Sequence, residues 1–356
     1  VSEREQTDVL VIGLGPAGSR AAALAAAGHE VIALDRRREA GIPVQCAEFV
    51  PTLLDQELDG LSDVTHQQVR EMMTFVEDEA PDVKTDFPGR MIDRAKFDAA
   101  LVGLAEEAGA RCRFGTAVEA IETDGSVRLS DGRHIQARVL IGADGPRSRA
   151  GRALGRVNTE MVETRQITVA LYAAHHTTDI FLSTEIPGGY GWLFPKGEVA
   201  NLGVGVVPEA KDRLKPILDN LHDSLVISKR LGRRVLGHTG GPIPVGGMLD
   251  PVGRLEQTPV LLAGDAAGLA NPVTGAGISA AVISGGLAGA AAAALLDGDT
   301  SALAAYAREL ENLFKPALDR ALVRRREMLA RHAEETAPTP EHLRRGWIAY
   351  PAHWAA

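Results

Sequence analysis

Residues 8–18 read Asp-Val-Leu-Val-Ile-Gly-Leu-Gly-Pro-Ala-Gly, and residues 30–35 read Glu-Val-Ile-Ala-Leu-Asp. Val9 to Ile12 is an unbroken apolar run, the pattern of a parallel strand covered on both faces. Gly13, Gly15 and Gly18 follow at the GxGxxG spacing. Gly13 allows the tight turn, Gly15 lets the backbone approach a pyrophosphate, and Gly18 lets the next helix pack close to the strand. Ser19 to Ala27 is the predicted helix, ended by Gly28, and Val31 to Leu34 is the second predicted strand. Asp35 closes that strand 22 positions after Gly13, where an acid binds a ribose hydroxyl. A glycine-rich turn without a ligand would leave the three glycines and the acid as separate coincidences. The reading is a dinucleotide-binding unit, with Pro16 and Ala17 in its turn and Arg36 beside its acid counted among the binding residues. The acid disfavours a 2′-phosphate, and the motif alone leaves NAD and FAD both open.

Two later segments repeat the logic of a buried strand ending in glycine and aspartate. Residues 137–148 read Ala-Arg-Val-Leu-Ile-Gly-Ala-Asp-Gly-Pro-Arg-Ser, and residues 259–271 read Pro-Val-Leu-Leu-Ala-Gly-Asp-Ala-Ala-Gly-Leu-Ala-Asn, followed by Pro272-Val-Thr-Gly-Ala-Gly. With the N-terminal fingerprint, this set resembles the FAD-binding fold shared by flavin aromatic hydroxylases and geranylgeranyl reductases, and it spans nearly the whole chain. The resemblance implies that Gly264 and Asp265 meet the ribityl chain and that Asp144 lies near the pyrophosphate; a plain turn residue is the alternative for Asp144. It also implies a helix whose N-terminus, at Gly275, Ala276 and Gly277 after Pro272, points at the flavin and stabilises negative charge there. Arg94, in Asp-Arg-x-x-Phe-Asp, resembles the residue that reaches the FAD phosphates or ribityl chain, with a surface salt bridge as the alternative. Val118 resembles the strand residue whose backbone holds the adenine.

Residues 187–196, Pro-Gly-Gly-Tyr-Gly-Trp-Leu-Phe-Pro-Lys, match the Pro-x-x-Tyr-x-Trp-x-Phe-Pro signature of the geranylgeranyl reductase family. By the strand period of two, Tyr190, Trp192 and Phe194 share a face. The family resemblance makes Tyr190 and Trp192 a substrate wall; Phe194 is read as core. That family also carries a cysteine motif, often Cys-x-x-Gly, near the flavin. Cys46 fits the position, although Glu48-Phe49 replaces the glycine end. Tyr190, Trp192 and Cys46 are therefore the candidate catalytic residues, with Tyr190, Cys46 or water as proton source. Cys112 reads as structural.

The chain has 356 residues, 45% of them hydrophobic and 24% charged, enough to bury a large core and against disorder. Its net charge of -9 argues against nucleic acid as a partner. Two cysteines exclude a disulfide framework and a Cys-ligated metal site, and the histidines form no ligand pair, so no metal is expected; His175 and His176 are placed on opposite strand faces. Reduced cysteines and the polar opening Val1-Ser2-Glu3, unlike a signal peptide, read as cytoplasmic. Residues 275–296 are uncharged and long enough to span a bilayer, but their Ala and Gly content favours a buried helix.

The expected fold class is α/β: a Rossmann-like FAD-binding domain with an inserted antiparallel β-sheet substrate domain and a helical C-terminus. Residues 1–60, 90–155 and 255–300 make the discontinuous FAD domain, 61–89 and 156–254 the substrate domain, and 301–356 the helical region. Leu303, Tyr306, Leu310, Phe314, Leu318, Leu322 and Leu329 keep helical spacing, with Pro316 expected to kink the helix. Arg324-Arg325-Arg326 with Trp347, Tyr350 and Trp354 is read as a solvated face and docked tail; the rival reading is peripheral contact with the inner face of a membrane. The resemblance implies an FAD-dependent oxidoreductase that reduces C=C bonds of a prenyl or similar apolar substrate. NAD(P)H or a reduced redox-partner protein would be the transient electron donor. A monooxygenase of the same fold and an electron-relay flavoprotein are the alternatives.

Overall fold

The structure, a computed structural model, describes residues 4–52, 54, 58, 61–333 and 338–355. The opening Val1-Ser2-Glu3 lies outside the described residues.

The first sheet grows from strand β1 (Glu5–Ile12). Val9, Leu10 and Val11 have no exposed surface, because the strand is central and covered on both faces. It pairs in parallel with β2 (Val31–Leu34) on one side and β11 (His134–Gly142) on the other. Beyond these lie β8 (Arg111–Arg113), parallel to β2, and β19 (Thr258–Leu262), parallel to β11. An antiparallel β18 (Val252–Leu255) closes the edge, while β9 (Val118–Ile121) and β10 (Val127–Leu129) pair off β11. The three glycine-and-aspartate turns all follow the carboxyl ends of adjacent strands, β1, β11 and β19. That convergence is what a cofactor site at strand ends requires.

Helix α1 spans Pro16–Ala26, three residues earlier than the sequence suggests, since Pro at its first position is preset for helical φ and Gly15 serves as N-cap. It packs on α5 (Ile278–Leu296) through small residues. A Cβ on Gly285 would lie 2.1 Å from the Ala17 carbonyl oxygen, and one on Gly289 2.3 Å from that of Ala21. Among the described residues α5 is the one helix long and apolar enough to cross a membrane. Here it lies against the domain core, and half of its most apolar window is buried.

The second sheet runs β16 (Leu231–Thr239), β12 (Met161–Leu171), β15 (Val199–Val206), β14 (Gly191–Lys196), β13 (Thr177–Leu182), β5 (Glu71–Val76) and β6 (Asp82–Lys84), with β17 (Pro242–Pro244) on β12. Its pairs are antiparallel except β13 with β5, which are parallel, a departure from the expected all-antiparallel sheet. That pairing arises because β5 enters from an earlier part of the chain, not through a hairpin. Helix α4 (Leu214–Ile227) covers one face of this sheet with Leu214, Ile217, Leu218 and Leu225. A small third sheet runs β3 (Phe49–Pro51), β7 (Gly89–Ile92) and β4 (Thr65–Val69). His175 and His176 lie in the loop before β13, not on strand faces; the His175 ring pairs with the buried carboxylate of Asp179 at 2.9 Å.

Helix α6 (Ala302–Ala333) is continuous through Pro316, followed by α7 (Pro340–Gly346) and α8 (Pro351–Trp354). The expected solvated face does not form at the arginine triplet. Arg324 and Arg325 are buried: Arg324 donates to the backbone carbonyls of His353 and Ala355, and Arg325 to that of Gly188 at 2.5 Å. Of the arginine triplet only Arg326 is exposed, paired with Glu160 at 2.8 Å. Trp347 is 4% exposed, so the terminal segment docks on the body of the protein.

Candidate active site

The glycine turn is built as its sequence demands. Gly13 has φ 95°, and a Cβ there would meet the Ala143 carbonyl oxygen at 2.3 Å; one on Gly18 would meet the Gly13 carbonyl oxygen at 1.7 Å. Gly15, by contrast, is uncrowded: the nearest group to where a Cβ would sit is the Arg37 guanidinium, at a van der Waals distance of 3.9 Å. A bare cradle at the middle glycine is what a pyrophosphate needs. Asp35 is placed at the end of β2, but its oxygens are engaged within the chain. Oδ2 accepts from the Leu14 N–H and Arg37 Nη2, both at 2.9 Å, and Oδ1 from the Arg37 N–H at 2.8 Å. Burial works to raise the Asp35 pKa, and the Arg37 hydrogen bonds and charge outweigh it, leaving it lowered. Arg36, expected beside the cofactor, is exposed, and its neighbour Arg37 is the arginine that turns back onto Asp35. Val118 opens β9 and is buried, and the loop before it is held against residues 35–37 by the Thr116 N–H on the Asp35 carbonyl.

Asp144 follows β11 and serves its own turn. Its carboxylate accepts the Ser148 hydroxyl at 2.5 Å and the Arg149 N–H at 2.6 Å, at the start of α3 (Arg149–Ala153). The turn reading therefore describes its hydrogen bonds. Burial pushes its pKa up, and those bonds offset part of the rise. Asp265 is different: its carboxylate takes no hydrogen bond from the described residues, and Oδ1 would lie 3.1 Å from a Cβ on Gly277, at the N-cap of α5. Burial raises its pKa as well, with the nearby Arg94 charge working in the opposite direction. Asn158, which the sequence did not single out, donates to the carbonyls of both Pro146 and Asp265 and so joins two of the turns.

Arg94 begins α2 (Arg94–Glu107). It is no surface salt bridge: its guanidinium forks onto Asp98, itself 1% exposed, at 2.7 and 3.3 Å, and lies beside Cys46 and Asp265. The loop of buried Pro272, then Gly275, Ala276 and Gly277, leads into α5, whose first N–H groups have no side-chain cap. The buried Ser279 hydroxyl in its first turn has no partner. An open glycine cradle, an unpartnered Asp265, an uncapped helix start and an orphaned hydroxyl fit an elongated, polar, anionic cofactor.

On the other side stands the aromatic strand. Trp192 packs against Gly203, where a Cβ would be 2.2 Å from its ring, and donates to Gln166 at 2.9 Å. Gln166 in turn donates to the Cys46 carbonyl at 3.1 Å. The Tyr190 hydroxyl donates to the Thr274 carbonyl at 2.6 Å, joining the aromatic wall to the loop before α5. Tyr190 packs on Trp192 at 5.7 Å and on Trp347 at 4.7 Å between ring centroids. Phe194 is 8% exposed in the same cluster, as its core reading expects. Trp347, from the C-terminal segment, joins this aromatic cluster, a contact that sequence reasoning missed. No cluster of metal ligands occurs among the described residues. Cys112 sits on β8 against the main core, where burial pushes its thiol up to about 11.

Comparison with known proteins agrees with this geometry. Residues 6–186 match the FAD binding domain family, and residues 160–241 match the geranylgeranyl reductase catalytic domain. Digeranylgeranylglycerophospholipid reductase 2 of Methanopyrus kandleri is 36% identical, over 83% of this chain and 79% of its own. The chain belongs to the geranylgeranyl reductase family. It is accordingly an FAD-dependent oxidoreductase. Within the geranylgeranyl reductase family the digeranylgeranylglycerophospholipid reductase of Methanosarcina acetivorans is 34% identical, over 83% of this chain and 77% of its own. In fold, a geranylgeranyl bacteriochlorophyll reductase-like protein from Thermoplasma acidophilum superposes with a TM-score of 0.83 at 23% identity, covering 99% of this chain and 98% of that one. A probable FAD-dependent monooxygenase from Pseudomonas aeruginosa shares the fold at a TM-score of 0.70 and 20% identity, covering 91% and 97% of the two chains.

Proposed function

We propose that this chain reduces carbon–carbon double bonds of a prenyl chain, the substrate class named in its reductase relatives. The observation that carries the reading is the aromatic wall of Tyr190 and Trp192, tied through Thr274 and Gln166 to the two loops that face the cofactor site. When bound, FAD supplies a two-electron hydride carrier. The residues that would hold it are Gly13, Gly15, Gly18, Arg37, Arg94, Asp265 and the start of α5.

The rest is work of the chain itself. The aromatic wall excludes water and orients an apolar chain, so that an alkene carbon is presented in one pose. The α5 N-terminus stabilises negative charge at the cofactor. Tyr190 is a positioning group and a poor acid, because burial holds its phenol well above the usual tyrosine range and its O–H already donates a hydrogen bond to the Thr274 carbonyl. The proton that completes the reduction then comes from the Cys46 thiol or from water. NAD(P)H or a small reduced protein is the proposed electron donor, and an apolar substrate implies work at the cytoplasmic face of a membrane. The arginine triplet of α6 does not supply that contact, since two of its members are buried.

The test is to reduce the holoenzyme, add a prenyl lipid with and without oxygen, and weigh the product. A gain of two hydrogens per double bond is expected. A gain of oxygen would establish monooxygenation instead, and unchanged lipid with continued electron flow would establish a relay.

A further inference from the structure

Glu48, two residues past Cys46, has no role in the reading above, yet its carboxylate is buried and held from several elements at once. It is 5% exposed, and its φ of 69° is a left-handed conformation that side-chain-bearing residues rarely adopt. Lys196 Nζ donates to Oε1 at 2.8 Å and to Oε2 at 2.9 Å, Asn201 Nδ2 to Oε2 at 2.9 Å, and the Arg94 N–H to Oε1 at 3.1 Å. The Glu48 N–H donates to Cys46 Sγ at 3.1 Å, and Asn201 also donates to the Ala47 carbonyl at 3.3 Å.

These partners come from three separate elements. Lys196 ends β14 and Asn201 lies on β15, both in the substrate sheet; Arg94 is the first residue of α2 on the cofactor side. Along β14 the strand period puts Trp192, Phe194 and Lys196 on one face, so the cation belongs to the strand that carries the aromatic wall. Burying an ion pair is a weak route to stability, and a left-handed residue stores strain; both are seen where a site must be held in one geometry.

We propose that Glu48 is a positioning residue for the flavin reaction: with Lys196 and Asn201 it latches the Cys46 loop and the start of α2 to the strand carrying Trp192. The latch sets where the Cys46 thiol and the Arg94 guanidinium stand relative to that wall. A displacement of about 1 Å at such groups costs on the order of 100-fold in rate. The proposal rests on FAD occupying this site and not on the prenyl reading, so its test uses no substrate.

In the holoprotein, Glu48→Gln, Lys196→Met and the double variant are compared by Tm, FAD dissociation constant, visible flavin spectrum and rate of Cys46 alkylation by iodoacetamide, located by peptide mass. Burial of the Cys112 thiol keeps that residue a slow background. The expected result is that each single variant alkylates at Cys46 about tenfold faster and holds FAD about tenfold more weakly. The double variant, with no buried charge left unpaired, is expected to recover Tm while alkylation and FAD binding stay altered. If the double variant recovers all of these properties, or if the singles change Tm alone, the cluster is packing and the proposal is overturned. Asn201→Ala keeps the ion pair and serves if Glu48→Gln does not fold: about threefold faster alkylation with a shifted flavin spectrum supports the latch, and an unchanged rate overturns it.

Discussion

At the scale of single residues, the site divides into positions set by backbone need and positions set by partners. Gly13 and Gly18 belong to the first group, and their spacing is readable because only glycine fits there. Gly18→Ala should yield protein without bound flavin, checked by the visible absorbance of purified material. Arg37 belongs to the second group. Asp35 has a lowered folded-state pKa, so the stability it contributes is present above the ordinary carboxylate range and is lost as pH falls through the lowered value. Arg37→Ala should therefore lower Tm at neutral pH, and the two Tm curves should converge as pH falls below about 4. Choosing between Arg36 and Arg37 was beyond the sequence, since both follow Asp35 and only the bend of the loop decides which one turns back. Asp144 was read as lying near the pyrophosphate, with a plain turn residue as the alternative; its bonds to Ser148 and Arg149 match the turn alternative. Tyr190→Phe should cost about 1 kcal/mol through the lost bond to Thr274 and leave the shape of the pH–rate profile unchanged. An altered alkaline limb in that profile would return Tyr190 to the role of acid.

At the scale of elements, α1 and α5 show how composition becomes geometry. The Ala- and Gly-rich stretch that resembles a membrane span is a packing surface, with Gly285 and Gly289 one turn apart and pressed on the α1 backbone. Replacing either with Ala forces the helices apart and should cost about 1–3 kcal/mol, seen as a lower Tm with weaker FAD retention. A control, Gly103→Ala in the half-buried middle of α2, has nothing within 4 Å of the added Cβ and should hold or raise Tm. Helix α6 illustrates the opposite case. Its apolar spacing was correctly read: Leu303, Tyr306, Leu310 and Leu318 are buried. Its arginine triplet was open to misreading, because periodicity shows which face is apolar but not that a returning tail will offer carbonyl oxygens to Arg324.

At the scale of the whole molecule, the C-terminal segment closes the wall that the aromatic strand begins. Trp347 reaches Tyr190, and Arg344 pairs with Glu79 and Asp82 at the β5–β6 edge of the second sheet. Trp347→Ala should lower stability by about 3–5 kcal/mol and open the apolar wall, measured as a drop in Tm with increased ANS fluorescence. If Tm falls without added dye binding, the ring is packing remote from any pocket. The strand-end turns of the cofactor half were determined by sequence alone, because GxGxxG, Asp-Gly and Gly-Asp are local answers to local demands: a strand must end, a turn must be tight, a backbone must come close. The substrate half was decided by tertiary structure. Glu48 and Lys196 are 148 positions apart, and Tyr190 and Trp347 lie in different regions of the chain. No local rule relates such residues; sheet register and helix docking bring them together, and the contact exists only once the chain is packed.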